Sequence, residues 1–271
     1  MTSFGQKKNR SLQVYACIYL AFIYIPVLLL PIFSVNDSLY IAFPLKGFTL
    51  KWYESMLTND AMHRALWNSI KVALAAATIS TVLGIFASKA VTRYRMPGKK
   101  SVVSVILLPL VIPEIILGTS LLILVNQIGL GLSLVSVVMG HVLINVPFAM
   151  AVLISRFEGF DQALEEASSD LGEGAWSTFW RVTLPLVLPG VVSSFLLCFM
   201  FSFDEFIMAF FLTGTEQTLP IFIYSQLRFA DKLPGVVAMG AAIIMVSIVV
   251  VAFAEWLRRR GSYGMAEDTG L

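Results

Sequence analysis

The sequence predicts an all-α integral membrane protein with six transmembrane helices. The first observation is composition: 58% of the 271 residues are hydrophobic, 13% are charged and the mean hydropathy is +0.82, far from the make-up of a soluble domain. The second is that the apolar residues gather into six runs, each long enough for the roughly 20-residue helix that crosses a bilayer. The third is that Lys and Arg fall unevenly on the two sides these runs define. A net charge of +2 without clustered bases gives none of the basic stripe that nucleic acid requires.

The runs are 12–34, 66–91, 102–125, 132–155, 186–213 and 234–256. The first follows Lys7, Lys8 and Arg10, as a signal peptide would, but it is too long for an h-region and lacks a small-x-small cleavage site, so it reads as a retained helix. The second carries small residues four apart (Ala73, Ala77, Thr81 and Ser80, Gly84, Ser88), a pattern that lets helix backbones approach closely. The third is interrupted at Pro113-Glu114, where a break is expected. In the fourth, His141 and Asn145 share a face, and the fifth carries Asp204 and Glu205 near one end.

Between the runs, 35–65 is a long loop with Trp52 and Tyr53, residue types that commonly sit at headgroup level, and 126–131 is a tight turn. Cys17 and Cys198 each fall inside an apolar run, which suggests neither a disulfide framework nor a metal site. No internal repeat is evident, so residues 1–271 read as a single transmembrane domain.

Orientation follows from the bases. With the N-terminus inside, the inner segments hold Lys7, Lys8, Arg10, Arg93, Arg95, Lys99, Lys100, Arg156, Arg181, Arg258, Arg259 and Arg260; the outer ones hold Lys46, Lys51, Arg64, Arg228 and Lys232. This bias places both termini in the cytoplasm.

The segment 161–185, EEASSDLGEGAWSTFWRVTLP at its heart, then lies on the cytoplasmic side between runs four and five. Its first part is helix-forming, with Asp161, Glu165 and Glu166 where the helix dipole favours acids. Gly172 ends that helix, and a second short helix through Trp176–Arg181 is expected to stop before Pro185. Trp176, Phe179 and Trp180 would be costly in water, so they are expected to pack on the membrane helices or on another protein. Composition alone leaves a second reading open, an amphipathic connector lying on lipid headgroups.

Spacing argues against the connector. Glu166-Ala167-Ser168, three residues, Gly172, nine residues and Val182-x-Leu184-Pro185 closely resembles the EAA signature of the permease subunits of binding-protein-dependent ABC importers, with Ser168 and Val182 as same-class departures. Beyond the motif, Tyr24-Ile25-Pro26, Lys51-Trp52-Tyr53, Arg93-Tyr94-Arg95 and Phe203-Asp204-Glu205-Phe206 are similar to the smaller permease of spermidine/putrescine-type importers.

That resemblance implies a type I ABC importer permease fold with a cytoplasmic coupling helix, in a bacterial inner membrane. It implies that Glu166, Ala167, Ser168, Asp170, Leu171, Gly172, Ala175 and Trp176 couple the chain to an ATPase, with Glu166 as polar anchor. It also implies a second, homologous permease, two ATPase subunits that bind ATP and Mg, and a periplasmic or lipid-anchored binding protein. No cofactor is expected in this chain: a P-loop needs a glycine five positions before its Gly-Lys, and before Gly98-Lys99 that position holds Arg93.

Ionisable and polar groups at membrane depth mark the candidate solute path: Glu114, His141, Asn145, Asp204 and Glu205, the last two on the order of 8 Å past the midplane at 1.5 Å per residue. Acids recurring at similar depth suit a cationic solute, with polyamines favoured by the resemblance and opines, amino-acid derivatives or other organic amines as alternatives. Two structural readings stand beside this one: Lys71 pairing with Asp204 or Glu205, and His141 as a packing histidine. A membrane-embedded enzyme is disfavoured because His63 and His141 show no ligand spacing, and an ion-coupled secondary transporter because such folds usually show inverted repeats.

Overall fold

The computed structural model of the chain describes residues 10–95 and 97–249. Its helices are α1 (Arg10–Ser34), α2 (Lys51–Leu57), α3 (Asp60–Arg93), α4 (Lys99–Leu107), α5 (Glu114–Gln127), α6 (Leu134–Glu158), α7 (Ala163–Asp170), α8 (Ala175–Thr178), α9 (Leu184–Asp204), α10 (Ile207–Leu212) and α11 (Leu219–Gln226), followed by a last apolar helical stretch, Ala230–Val249. Among the described residues, five helical stretches are long and apolar enough to cross a membrane, and a sixth candidate is the bent pair Lys99–Leu110 and Glu114–Gln127, at 97° to one another. Within the described residues each of the six expected runs is mainly helical, and the break foreseen at Pro113-Glu114 is present. Residues 250–256 of the sixth run, and Lys7, Lys8, Arg258, Arg259 and Arg260, lie outside the described residues.

Contacts divide the chain into two compact units. The larger, Asp60–Phe222, is organised around α3, a 34-residue helix about 50 Å long at 1.5 Å per residue. Its small residues Ala73, Ala77, Ser80, Thr81, Gly84 and Ser88 are all buried, as their spacing foretells, and α6 and α9 pack against that stripe. Ser88 Oγ donates to the Met150 carbonyl at 3.1 Å, a side-chain bond inside the α3–α6 seam. A reciprocal cap opens α6, where Ser133 and Ser136 exchange side-chain and backbone bonds; Ser136 Oγ also donates to the Leu212 carbonyl at 3.0 Å, joining α6 to the end of α10.

The fifth run departs from expectation. It is not one helix over 186–213: α9 ends at Asp204, Glu205 is extended (φ −69°, ψ 119°) and α10 starts at Ile207. The break is tolerated because the Glu205 carboxylate accepts the Met208 backbone N–H at 2.9 Å, supplying the partner that the interrupted helix removes.

The other unit comprises the described parts of Met1–Asn59 and Ile223–Leu271. The loop after α1 is more ordered than its length suggests and contains α2. Trp52 Nε1 donates to the Asn36 carbonyl (2.9 Å), Tyr53 Oη to Ser34 Oγ (2.7 Å) and the Lys46 N–H to Asn36 Oδ1 (3.0 Å). Trp52 and Tyr53, expected as headgroup anchors, thus use their polar atoms to fold the loop onto the end of α1.

Candidate functional site

The elbow is built from local rules. α7 closes through bonds from the N–H groups of Leu171, Gly172 and Glu173 to Ala167, Ser169 and Ser168, and Gly172 adopts φ +86°, a left-handed conformation in which any side chain is strained. This is the helix end expected at Gly172. Gly174 is extended and starts α8. The expected stop before Pro185 does not occur: Phe179–Thr183 form a π-helical turn that runs directly into α9. The Leu184 N–H donates to Phe179 O, five residues back, and this wider turn accommodates Pro185, which has no N–H to offer, at the start of α9.

The inward face of the elbow centres on Glu165. Its carboxylate lies 2.7 Å from Arg93 Nε and 3.7 Å from Lys89 Nζ, both on the last turns of α3, and accepts a hydrogen bond from Thr183 Oγ1 of the π turn. Ser168 Oγ pairs with Thr178 Oγ1 at 2.9 Å. Phe179 is buried, stacks on Phe86 and lies beneath the Lys89 ammonium, 4.9 Å from the ring centroid.

The outward face consists of Glu166, Ala167, Asp170, Leu171, Gly172, Ala175, Trp176 and Trp180, all exposed. Leu171 is 87% exposed and Trp176 65%. Of the three aromatics expected to find cover, Phe179 does so within the chain, while Trp176 and Trp180 pack edge to face with each other and stay open. Two large apolar side chains thus stand open beside acids on this face.

Among the membrane-depth candidates, Glu114 is the first residue of α5, at the bend, and is exposed. Asp204 and Glu205 sit at the second helix break, and α10, which follows that break, packs against α5, the helix that Glu114 opens. The structure thus sets the helix begun by Glu114, from a different run, beside the helix that follows the acids of the fifth. Lys71 pairs with neither Asp204 nor Glu205; its ammonium turns to Asn68 Oδ1 on its own helix, at 3.5 Å. His141 and Asn145 are fully buried between α6 and α9: His141 Nδ1 is 2.7 Å from Ser202 Oγ, and Asn145 Nδ2 donates to the Cys198 carbonyl at 3.2 Å.

The sequence points to Glu165 only as an acid at a helix start and to Arg93 only through the charge bias and the Arg93-Tyr94-Arg95 resemblance; none of Glu165, Lys89, Arg93 and Thr183 is singled out there as a site residue. A signal existed: Lys89 and Arg93 stand four apart at the end of an apolar helix, and bases so placed need an acid nearby.

Comparison with known proteins agrees with this architecture. The spermidine/putrescine transport system permease protein PotC of Haemophilus influenzae is 32% identical over 244 residues, covering 90% of this chain and 94% of that protein. The putrescine transport system permease protein PotI of Escherichia coli K12 is 32% identical over 243 residues, covering 87% and 85%. Among solved structures, a bacterial ABC transporter involved in import of the acidic polysaccharide alginate has a chain that matches with a TM-score of 0.70 at 17% identity, over 95% of this chain and 99% of that one, which establishes the type I permease fold. The family model described as "Binding-protein-dependent transport system inner membrane component" matches residues 80–263, a range that holds the bent pair, the elbow and both helix breaks. Bent pair, elbow and apolar helices are accordingly parts of a multi-pass transport permease, and the chain belongs to the inner membrane components of binding-protein-dependent transport systems.

Proposed function

We propose that the chain is the smaller permease of an ATP-driven polyamine importer, passing putrescine or spermidine from a binding protein to the cytoplasm. The observation that carries the coupling role is the two-sidedness of the elbow: Glu165 and Phe179 fasten it inward, while Glu166, Ala167, Asp170, Leu171, Ala175 and Trp176 remain open. On this reading the open face docks on a cytoplasmic ATPase, one of two that bind ATP and Mg, and the chain itself holds no cofactor. Ser168 and Gly172 set the shape of the elbow. A second, related permease completes the pathway, a periplasmic or lipid-anchored binding protein delivers the solute, and both termini lie in the cytoplasm.

For the cargo, the support is the relatives' printed substrates and the three carboxylates at two helix breaks. Broken helices at membrane depth are tolerated where they line a cavity, and acids there suit a diamine or triamine. Glu114, Asp204 and Glu205 line the path; His141 and Asn145 hold α6 to α9 behind it.

The test is uptake of labelled putrescine and spermidine by cells carrying the complete system or lacking only this chain, with neutral and anionic amino-acid derivatives as competitors. Loss of polyamine uptake that competitors leave untouched is the expected result. Unchanged polyamine uptake overturns the cargo. An uncoupler that collapses uptake while ATP is maintained would overturn the ATP-driven reading.

A further inference from the structure

We infer that Glu165 is a positioning residue that fastens the elbow to α3, so that a displacement of α7 carries α3 with it. The inference rests on the coupling role proposed above and names the joint through which it acts.

α7 has eight residues and none of them is buried, so its own packing cannot transmit force. Its side-chain attachments among the described residues are few. Ser169 bonds its own helix, at the Glu165 carbonyl, and Ser168 reaches Thr178, still within the elbow. Glu165 is different: only 13% of its side chain is exposed, and it is gripped by Lys89 and Arg93, one turn apart on α3, and by Thr183 on the π turn. Three partners approaching from two elements fix a carboxylate where a single ion pair would let it pivot.

The two bases are themselves held. Lys89 lies over the Phe179 ring, and the Arg93 guanidinium lies 4.3 Å from the Phe160 centroid, with Nη2 donating to the Phe160 carbonyl at 3.4 Å. They cannot simply follow Glu165 without moving the helix they belong to. α3 in turn packs along α6 and α9, so a pull at Arg93 reaches the centre of this unit. Removing the carboxylate would leave two bases sharing a confined site without their counter-charge.

The experiment uses the complete transporter in proteoliposomes, with three readouts: co-purification of the ATPase subunits, acceleration of ATP hydrolysis by loaded binding protein, and putrescine uptake. Glu165→Gln is expected to keep the ATPase subunits bound and hydrolysing at the basal rate, and to lose acceleration and uptake at least about fivefold. Thr183→Val, which removes one bond to the carboxylate and preserves volume, is expected to shift the same two readouts in the same direction by less. Combining Arg93→Gln with Glu165→Gln should be no worse than Glu165→Gln alone, since both remove one joint.

Wild-type acceleration and uptake in Glu165→Gln, or additive losses in the double variant, would overturn the inference, as would a loss of uptake that merely tracks a loss of assembled complex in both Glu165→Gln and Thr183→Val. Glu166→Lys, on the open face, separates the two levels. If it assembles and transports normally, the coupling reading falls and the joint with it. If it loses the ATPase while Glu165→Gln transports normally, only the joint falls.

Discussion

Gly84 of α3 faces Ala149 of α6 so closely that a Cβ on the glycine would lie 2.7 Å from the alanine Cβ. Real Cβ atoms do not approach that far, so any larger residue must push the helices apart at the seam that also holds the Ser88–Met150 bond.

Gly84→Val is therefore expected to destabilise the purified chain by about 1–3 kcal/mol, with Gly84→Ala intermediate. Thermal unfolding in detergent checks this, and an unchanged midpoint for Gly84→Val would show that the seam is looser than it stands here.

At Gly172 the conformation, not space, is decisive: nothing lies within 4 Å of an added Cβ, but φ is +86°. Gly172→Ala should cost about 1–2 kcal/mol locally. Gly172→Pro both forbids that φ and removes the N–H donated to Ser169 O at 2.9 Å. Membrane insertion should survive and uptake should vanish, as read by membrane-fraction immunoblot and labelled putrescine.

Asp204 is exposed at the helix break and has no ion-pair partner among the described residues. Asp204→Asn is expected to raise the KM for a polyamine by about tenfold, the equivalent of ~1.4 kcal/mol, with the ATPase subunits still bound. A fall in assembled complex with an unchanged KM would assign the carboxylate a structural task instead.

Asn145 is fully buried, and its amide bridges α6 to the Cys198 carbonyl of α9. Asn145→Ala should lower stability by roughly 0.5–2 kcal/mol, the range of side-chain bonds between membrane helices, and leave the KM alone. A changed KM at unchanged stability would place Asn145 in contact with the solute.

The helices were legible because bilayer thickness imposes run length on sequence, and the bend at Glu114 because proline leaves a fixed mark. The close α3 seam was legible from its small residues. The partners of Glu165 were not, since the motif spacing draws attention to Glu166, its exposed neighbour, and only the folded chain brings Lys89 and Arg93 to the residue before it. The break after Asp204 was hidden because Phe203 to Phe211 stays apolar enough to pass for continuous helix. Nor does composition reveal the π turn, whose residues Phe-Trp-Arg-Val-Thr form ordinary helix equally well.

That π turn buffers an azimuth. An i→i−5 turn holds about one residue more than an α turn, so the Phe179–Thr183 turn takes up an extra residue without passing that residue's ~100° of rotation on to its flanks. Deleting a single residue there would let the turn close as ordinary α-helix and leave Leu171 and Trp176 near their heading, whereas the same deletion within α9 would swing them about a quarter-turn relative to the far end of that helix. The elbow's bearing is in this sense buffered at the π turn and exposed to change everywhere beyond it.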